Sequence, residues 1–282
     1  MFIPRLCLVA VLFLAPANAP AARDSADTAE LAGDAAGNAE ANTLTAEESA
    51  SGWKLLFDGK AANGLRGLKN REFLKAGWKI QNGALILPKE ISAMGKVTGG
   101  DLATNEAFTD FEFAFQWKLG VSSNTGIVYF ARSGVGSARP SGCEFQIIDD
   151  VHHPDGLKGG PIRRTGALYG ILPPVAEKTV NEPGHWNAGK IRVQGNRVEH
   201  WLNGAKVLEY DLGSAGLQKA IVASRMKVPT GFGMSKFKAP LVILDEGDEL
   251  ALRGLKVRAI VETSVPVPAA GAVQRPTVPP AR

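Results

Sequence analysis

Aromatic residues occupy every second position in Phe111, Phe113, Phe115 and Trp117, with Glu112, Ala114 and Gln116 between them. A period of two places them on one side of a pleated strand, whereas a helix would scatter them around its circumference. Residues 127–130 and 143–148 read as apolar strands in the same way. Residues 191–194 lead into Gly195-Asn196 and then 197–202, a two-residue turn that reaches positive φ easily and so predicts a β-hairpin. Asn203-Gly204 predicts a second hairpin into 205–210, and 250–257 supplies the last strand. No long amphipathic helical pattern interrupts this series. The expected fold is therefore all-β, with two antiparallel sheets packed as a sandwich or jelly roll.

Strand parity then sorts the polar residues. Burying the aromatics of 111–117 turns Glu112 and Gln116 to an open face, and burying Phe145 and Ile147 does the same for Glu144 and Gln146. His200 and Trp201 have opposite parity, so one faces in and the other out. A concave face bearing Glu, Gln, His and Asn suits a carbohydrate, because these groups exchange hydrogen bonds with hydroxyls while aromatics stack on ring faces. Solvated outer positions of a sandwich would show the same pattern.

The chain ends change the picture of where this domain works. Arg5 precedes an apolar run over 6–14, far shorter than the ~20 residues a membrane span needs. With small residues at Ala19-Pro20-Ala21, this predicts a secretory signal over 1–21, and hence a secreted or periplasmic protein that does not span the membrane. Residues 22–50 set Asp24, Asp27, Glu30, Asp34, Glu40, Glu47 and Glu48 against Arg23 and carry few large apolar residues, so a disordered acidic linker is expected, with a short helix around 28–36. Residues 263–282 read as an extended Pro-rich tail. One domain, 51–262, remains.

Hydrophobic residues make up 45% of the 282, charged residues 21%, and the net charge is +4. That excludes a multi-span membrane protein, a collagen-like chain and a wholly disordered one. The basic residues are scattered, with no run longer than Arg163-Arg164, so nucleic-acid binding is not indicated. No Gly-rich loop stands at a strand-to-helix junction, so no nucleotide or organic cofactor is expected. With Cys7 in the signal, only Cys143 is left, a small core residue with no partner for a disulfide.

Several residues could carry chemistry. Glu144 is a candidate acid or base and His200 a candidate base or ligand. The run Glu144-x-Gln146-x-x-Asp149 resembles the paired-carboxylate strand of laminarinase-type glycosidases, with a Gln in the middle and Asp149 of opposite parity to Glu144. His152, His153 and Asp155 lie in a Pro/Gly loop that could gather them around a divalent metal ion. Glu112, Gln116, Asn124, Gln146, Arg163 and Tyr169 are candidate substrate-binding residues.

Longer motifs are specific when taken in order. Gly52-Trp53-Lys54-Leu55-Leu56-Phe57-Asp58-Gly59, Gly77-Trp78-Lys79-Ile80, Asn124-Thr125-Gly126-Ile127, Glu144-Phe145-Gln146-Ile147-Ile148-Asp149, Thr165-Gly166-Ala167-Leu168-Tyr169-Gly170, Gly184-His185-Trp186-Asn187 and Glu199-His200-Trp201-Leu202-Asn203-Gly204 follow one another through the domain. In this the chain resembles the 3-keto-disaccharide hydrolase domain family. The resemblance implies a concanavalin A-like jelly roll, export, a carbohydrate substrate and cleavage of 3-keto-glycosides. A ketone at C3 acidifies the C2 hydrogen, so a base can form an enolate, the C1 substituent leaves by β-elimination, and water adds back. Where the family pattern implies Asp-His-Gly, this chain has Asp245-Glu246-Gly247; Glu246 would still suit a hard cation. A non-catalytic carbohydrate-binding module on the same fold, and a conventional glycoside hydrolase using Glu144 and Asp149, are the alternatives.

Overall fold

The computed structural model describes residues 35–69, 77–92, 95–97, 99–132 and 141–261. The signal expected over 1–21, the first part of the linker and the tail expected over 263–282 lie outside them. Early in the chain come β1 (Lys54–Leu55), β2 (Leu65–Gly67), β3 (Lys79–Gln81), β4 (Ala84–Leu87), β5 (Glu90–Ser92), β6 (Gly95–Val97) and β7 (Leu102–Thr104). The central strands are β8 (Phe111–Leu119), β9 (Asn124–Tyr129) and β10 (Cys143–Ile148). After them come β11 (Asn187–Gln194), β12 (Arg197–Leu202), β13 (Ala205–Asp211), β14 (Val242–Ile243) and β15 (Leu250–Ala259).

These strands build a sandwich of two antiparallel sheets, as expected. The larger runs β13-β12-β11-β8-β15-β4-β3, with β1 added to β15; the smaller runs β10-β9-β14-β7-β2. Among the described residues, strands β5 and β6 pair only with each other. Both predicted hairpins form, with Gln194 opposite Arg197 and Leu202 opposite Ala205. Their turn residues Gly195, Asn203 and Gly204 all adopt positive φ.

The core lies between the sheets. Phe113, Phe115 and Trp117 of β8 are fully buried, and the last two meet Phe145 of β10, whose ring stands edge-on to Phe115 at 5.5 Å. Cys143 is a free buried thiol whose pKa burial pushes up to about 12, which suits a core residue rather than a nucleophile.

Residues 35–50 depart from the expected linker. They form helix α1 (Ala35–Ala41) and helix α2 (Ala46–Ala50) and dock on the domain. Asn38 and Asn42 are buried. The Asn38 amide donates to the carbonyl of Asn82 at 2.9 Å, and the Asn42 amide donates to that of Gly83 at 2.7 Å. In return, Asn42 accepts the main-chain N–H of Gly254 at 2.8 Å, at a bulge of β15 where φ is +60°. A reciprocal capping box of Thr45 and Glu48 starts α2, and Glu48 forms an ion pair with Lys256. Polar composition hid this docking, because it works through satisfied amides rather than apolar area.

Helix α3 (Pro154–Lys158) and helix α4 (Ala215–Ser224) fill two connections. The second was not foreseen, because Leu217 is its only buried residue and leaves no amphipathic stripe to read. Among the described residues no helix is long and apolar enough to cross a membrane.

Candidate functional site

Strand β10 sends Phe145 and Ile147 into the core and turns Glu144 and Gln146 to the outer face of the smaller sheet, where both are nonetheless buried, 3% and 0% exposed, so the face expected to be open is covered at these two positions. Its register sets Glu144 opposite Val128, Gln146 opposite Gly126 and Ile148 opposite Asn124. Gly126 is needed here: a Cβ at that position would come within 2.3 Å of Glu144 Oε1, so the carboxylate occupies space that only glycine leaves open. With its amide turned to satisfy both ends, Gln146 donates to Glu144 Oε1 at 3.1 Å and meets the Asn124 side chain at 3.2 Å.

A further segment lines the free edge of β10. Gln146 N donates to Ala167 O at 3.1 Å, Gly166 N to Gln146 O at 2.8 Å, and Tyr169 N to Glu144 O at 3.0 Å. Leu168 bridges to Phe145 and is buried, which leaves Tyr169 with the parity of Glu144. The Tyr169 hydroxyl donates to Asp155 Oδ2 at 2.9 Å. Arg163 Nη1 donates to Asp155 Oδ1 at 2.6 Å and to the Tyr169 hydroxyl at 3.0 Å, with its guanidinium 5.3 Å from the Tyr169 ring centre. Glu144, Gln146, Asn124, Tyr169 and Arg163 are thus brought together. Asp155 joins Tyr169 and Arg163 rather than the neighbouring histidines.

Other candidates go elsewhere. His200 faces inward and is completely buried. Its Nδ1 lies 2.9 Å from the Gly166 carbonyl and its Nε2 lies 2.8 Å from the Tyr129 hydroxyl, which is 2.6 Å from that of Tyr210. A carbonyl only accepts, so Nδ1 carries the proton and Nε2 accepts from Tyr129. Burial pushes the His200 pKa down to about 4, despite the bond to Gly166. It is a neutral core histidine that ties the larger sheet to the 165–170 segment, not a base on the open face. Glu112 and Gln116 do point outward, but from the other sheet. Glu112 pairs with Arg258, with Arg192 at 3.3 Å and with Lys190 at 3.9 Å, and Gln116 accepts from Arg253 at 2.8 Å.

Asp149 lies just past the end of β10. It accepts from Ser122 N at 2.8 Å, from Val151 N and His152 N at 3.1 Å each, and from His152 Nδ1 at 2.9 Å. Burial raises its pKa, but the N–H groups of Ser122, His152 and Val151 outweigh that and hold it below the usual carboxylate range. Its oxygens are spent on shaping the turn, which removes it from a paired-carboxylate arrangement with Glu144. His153 caps α3, its Nδ1 accepting from Asp155 N at 3.1 Å. Glu246 follows β14 in a loop where Gly247 N donates to Asp245 Oδ1 at 2.7 Å. Among the described residues, no three His, Cys, Asp or Glu side chains come together in a group that could hold a metal ion. The set expected from His152, His153 and Glu246 is not assembled, and these residues as placed do not fit a resident cation.

Sequence reasoning missed a cavity of about 420 Å³ where the ends of β8 and β10 meet residues 180–183. Its walls come from four separated stretches of chain, so no local pattern announces it.

The comparisons with known proteins agree with this architecture. A 3-keto-disaccharide hydrolase of Bacteroides thetaiotaomicron is 28% identical over 291 aligned residues, covering 92% of this chain and 99% of the relative. Two solved structures from Parabacteroides distasonis, designated provisionally as glycosyl hydrolases, superpose with TM-scores of 0.67 and 0.57. They are 28% and 26% identical and cover 78% and 74% of this chain and 99% of each structure. Residues 52–258, which hold both sheets and every residue of the Glu144 face, match the model of the 3-keto-alpha-glucoside-1,2-lyase-like domain, and the chain belongs to that family.

Proposed function

We propose that this protein is an exported carbohydrate-active enzyme that cleaves the glycosidic bond of 3-keto-glycosides, a hydrolase by outcome and a lyase in its first step. The carrying observation is the convergence of Glu144, Gln146, Asn124, Tyr169 and Arg163 on one face of the smaller sheet, within a domain of this family. The signal-like N-terminus supports export.

In this reading Glu144 takes the C2 proton of the substrate, and the C2–H electron pair passes to the C3 oxygen as an enolate. Gln146 holds one carboxylate oxygen of Glu144. Arg163 has five N–H donors; Nη1 serves Asp155 and Tyr169, and the guanidinium supplies the positive charge that the enolate oxygen needs. Collapse of the enolate re-forms the ketone, makes the C1–C2 double bond and expels the C1 substituent, which leaves with a proton. Water then adds at C1, and C2 regains a proton, for a net hydrolysis. Asn124 and Tyr169 are placed to meet sugar hydroxyls and a ring face.

The experiment is turnover of a 3-keto-glucoside by the purified protein and by Glu144→Gln, with protium or deuterium at C2. The expected result is release of the leaving group, slowed by deuterium, and a loss of about 100-fold or more in the variant, as for a positioned base. Saturable sugar binding without release would overturn the enzyme and leave a carbohydrate-binding module. Release without an isotope effect and unaffected by Glu144→Gln would overturn the assignment of the base.

A further inference from the structure

His152 is the one histidine here whose ring is set up for a ligand outside the Glu144 face. Its Nδ1 lies 2.9 Å from Asp149 Oδ2, and its side chain is 54% exposed. Asp149 stays ionised and can only accept, so Nδ1 donates to it, and in the neutral tautomer the lone pair is on Nε2. A carboxylate behind a histidine fixes the ring plane and which nitrogen faces it. That leaves Nε2 as an oriented acceptor.

The same residue lines the 420 Å³ cavity. The volume falls in the range typical of small-molecule sites, and the walls are mainly apolar, from Trp117, Leu119, Ile148, Val180 and Pro183. Val121 and Val151 also border it and are 62% and 64% exposed, so large apolar side chains stand in water around it. The Asn187 amide is engaged with the main chain of Asn181, and the Asn181 amide donates to the carbonyl of Trp186. Of the three carboxylates in the lining, Asp149 is engaged by main-chain N–H groups and His152, Asp150 by Thr165 N and Lys178, and Glu182 is exposed. A mainly apolar chamber with His152 as an oriented acceptor fits a molecule with an apolar ring body and a single hydroxyl donor.

We propose that this cavity binds a phenol, with the ring against the apolar walls and the hydroxyl donating to His152 Nε2. Ile148, two residues beyond Gln146 on the same strand, belongs to its lining, so the cavity continues from the Glu144 face along β10. A phenol is also the leaving group of an aryl glycoside. The cavity is therefore the place for the departing aglycone, and that last assignment alone rests on the proposed function.

The test needs no turnover. Calorimetric titration of the full-length protein with para-cresol and with its methyl ether separates the ring from the hydroxyl. The expected result is saturable one-to-one binding of the cresol, with the ether about tenfold weaker, the value of one neutral hydrogen bond of about 1.4 kcal/mol. His152→Ala should weaken the cresol by the same factor and leave the ether unchanged, and Val180→Trp, which fills the chamber, should abolish both. Equal binding of the two probes, indifference of the cresol to His152→Ala, or no saturable binding at all would each overturn the site. The leaving-group assignment is read separately, from aryl and methyl 3-keto-glucosides. His152→Ala should raise KM for the aryl substrate alone; equal effects on both would overturn that role while the phenol titration still stands.

Discussion

The main-chain N–H of Tyr169 donates to the carbonyl of Glu144 at 3.0 Å, which makes them cross-strand neighbours although they come from separate parts of the chain. Directly opposed residues on one sheet face hold their Cβ atoms roughly 5 Å apart, the distance at which an acid or base and a hydrogen-bonding phenol can share one sugar ring. Tyr169 brings Asp155 and Arg163 with it. The candidate face is thus an extra edge added to β10, and most of its polar character enters by that edge.

Gly126→Ala should disable the site without unfolding the domain. The new Cβ would meet Glu144 Oε1 at 2.3 Å and its Cδ at 2.9 Å, so the carboxylate must swing away. A fall of at least about tenfold in kcat/KM on a 3-keto-glucoside is expected, since displacing a catalytic group by an ångström costs up to 100-fold. Steady-state kinetics beside circular dichroism check it; unimpaired turnover would show that the position of Glu144 does not matter.

Arg163→Lys separates charge from geometry. A lysine keeps the charge but cannot fork to Asp155 and Tyr169 as the guanidinium does. Arg163 and Asp155 are both partly exposed, so solvent screens their pair and stability should change by less than about 1 kcal/mol. Activity should fall about tenfold or more. A variant that loses stability but not activity would place the trio in a structural role.

His200 predicts an acid-side loss of stability. Its pKa is about 4 when folded and 6.5 when free, so the unfolded chain takes the proton first as pH falls. The contribution is complete above pH 6.5 and disappears progressively down to about pH 4, roughly 3 kcal/mol in all by the usual conversion. Urea unfolding between pH 7 and 4 should show this slope, and His200→Gln should flatten it while lowering stability at pH 7. An unchanged slope in the variant would mean that His200 is not the titrating group.

Asn42→Ala tests the docking of α1. It strips partners from Gly83 O and from the buried Gly254 N, and each such loss costs about 1–3 kcal/mol. A urea midpoint within error of the wild type would show that residues 35–50 do not hold to the domain in solution.

Alternation along 111–117 and 143–148 was enough to read which residues face the core, and Gly195-Asn196 and Asn203-Gly204 were enough to place both hairpins, because a period of two and a positive-φ turn are local properties. The capping box at Thr45 and Glu48 is a local signal of the same kind, but it was not read in the acidic leader, where structure already begins at Ala35. Parity could say that Glu112 and Glu144 both point outward, but not that they point outward from different sheets. It could say that His200 and Trp201 diverge, but not which one the core would take. Those answers depend on pairings between distant segments: Tyr169 against Glu144, His200 against Gly166, Asn42 against Gly254. Period and turn chemistry act over a few residues and are written in the chain itself. The candidate face, the neutral core histidine and the cavity beside His152 are made by contacts that exist only once the two sheets close.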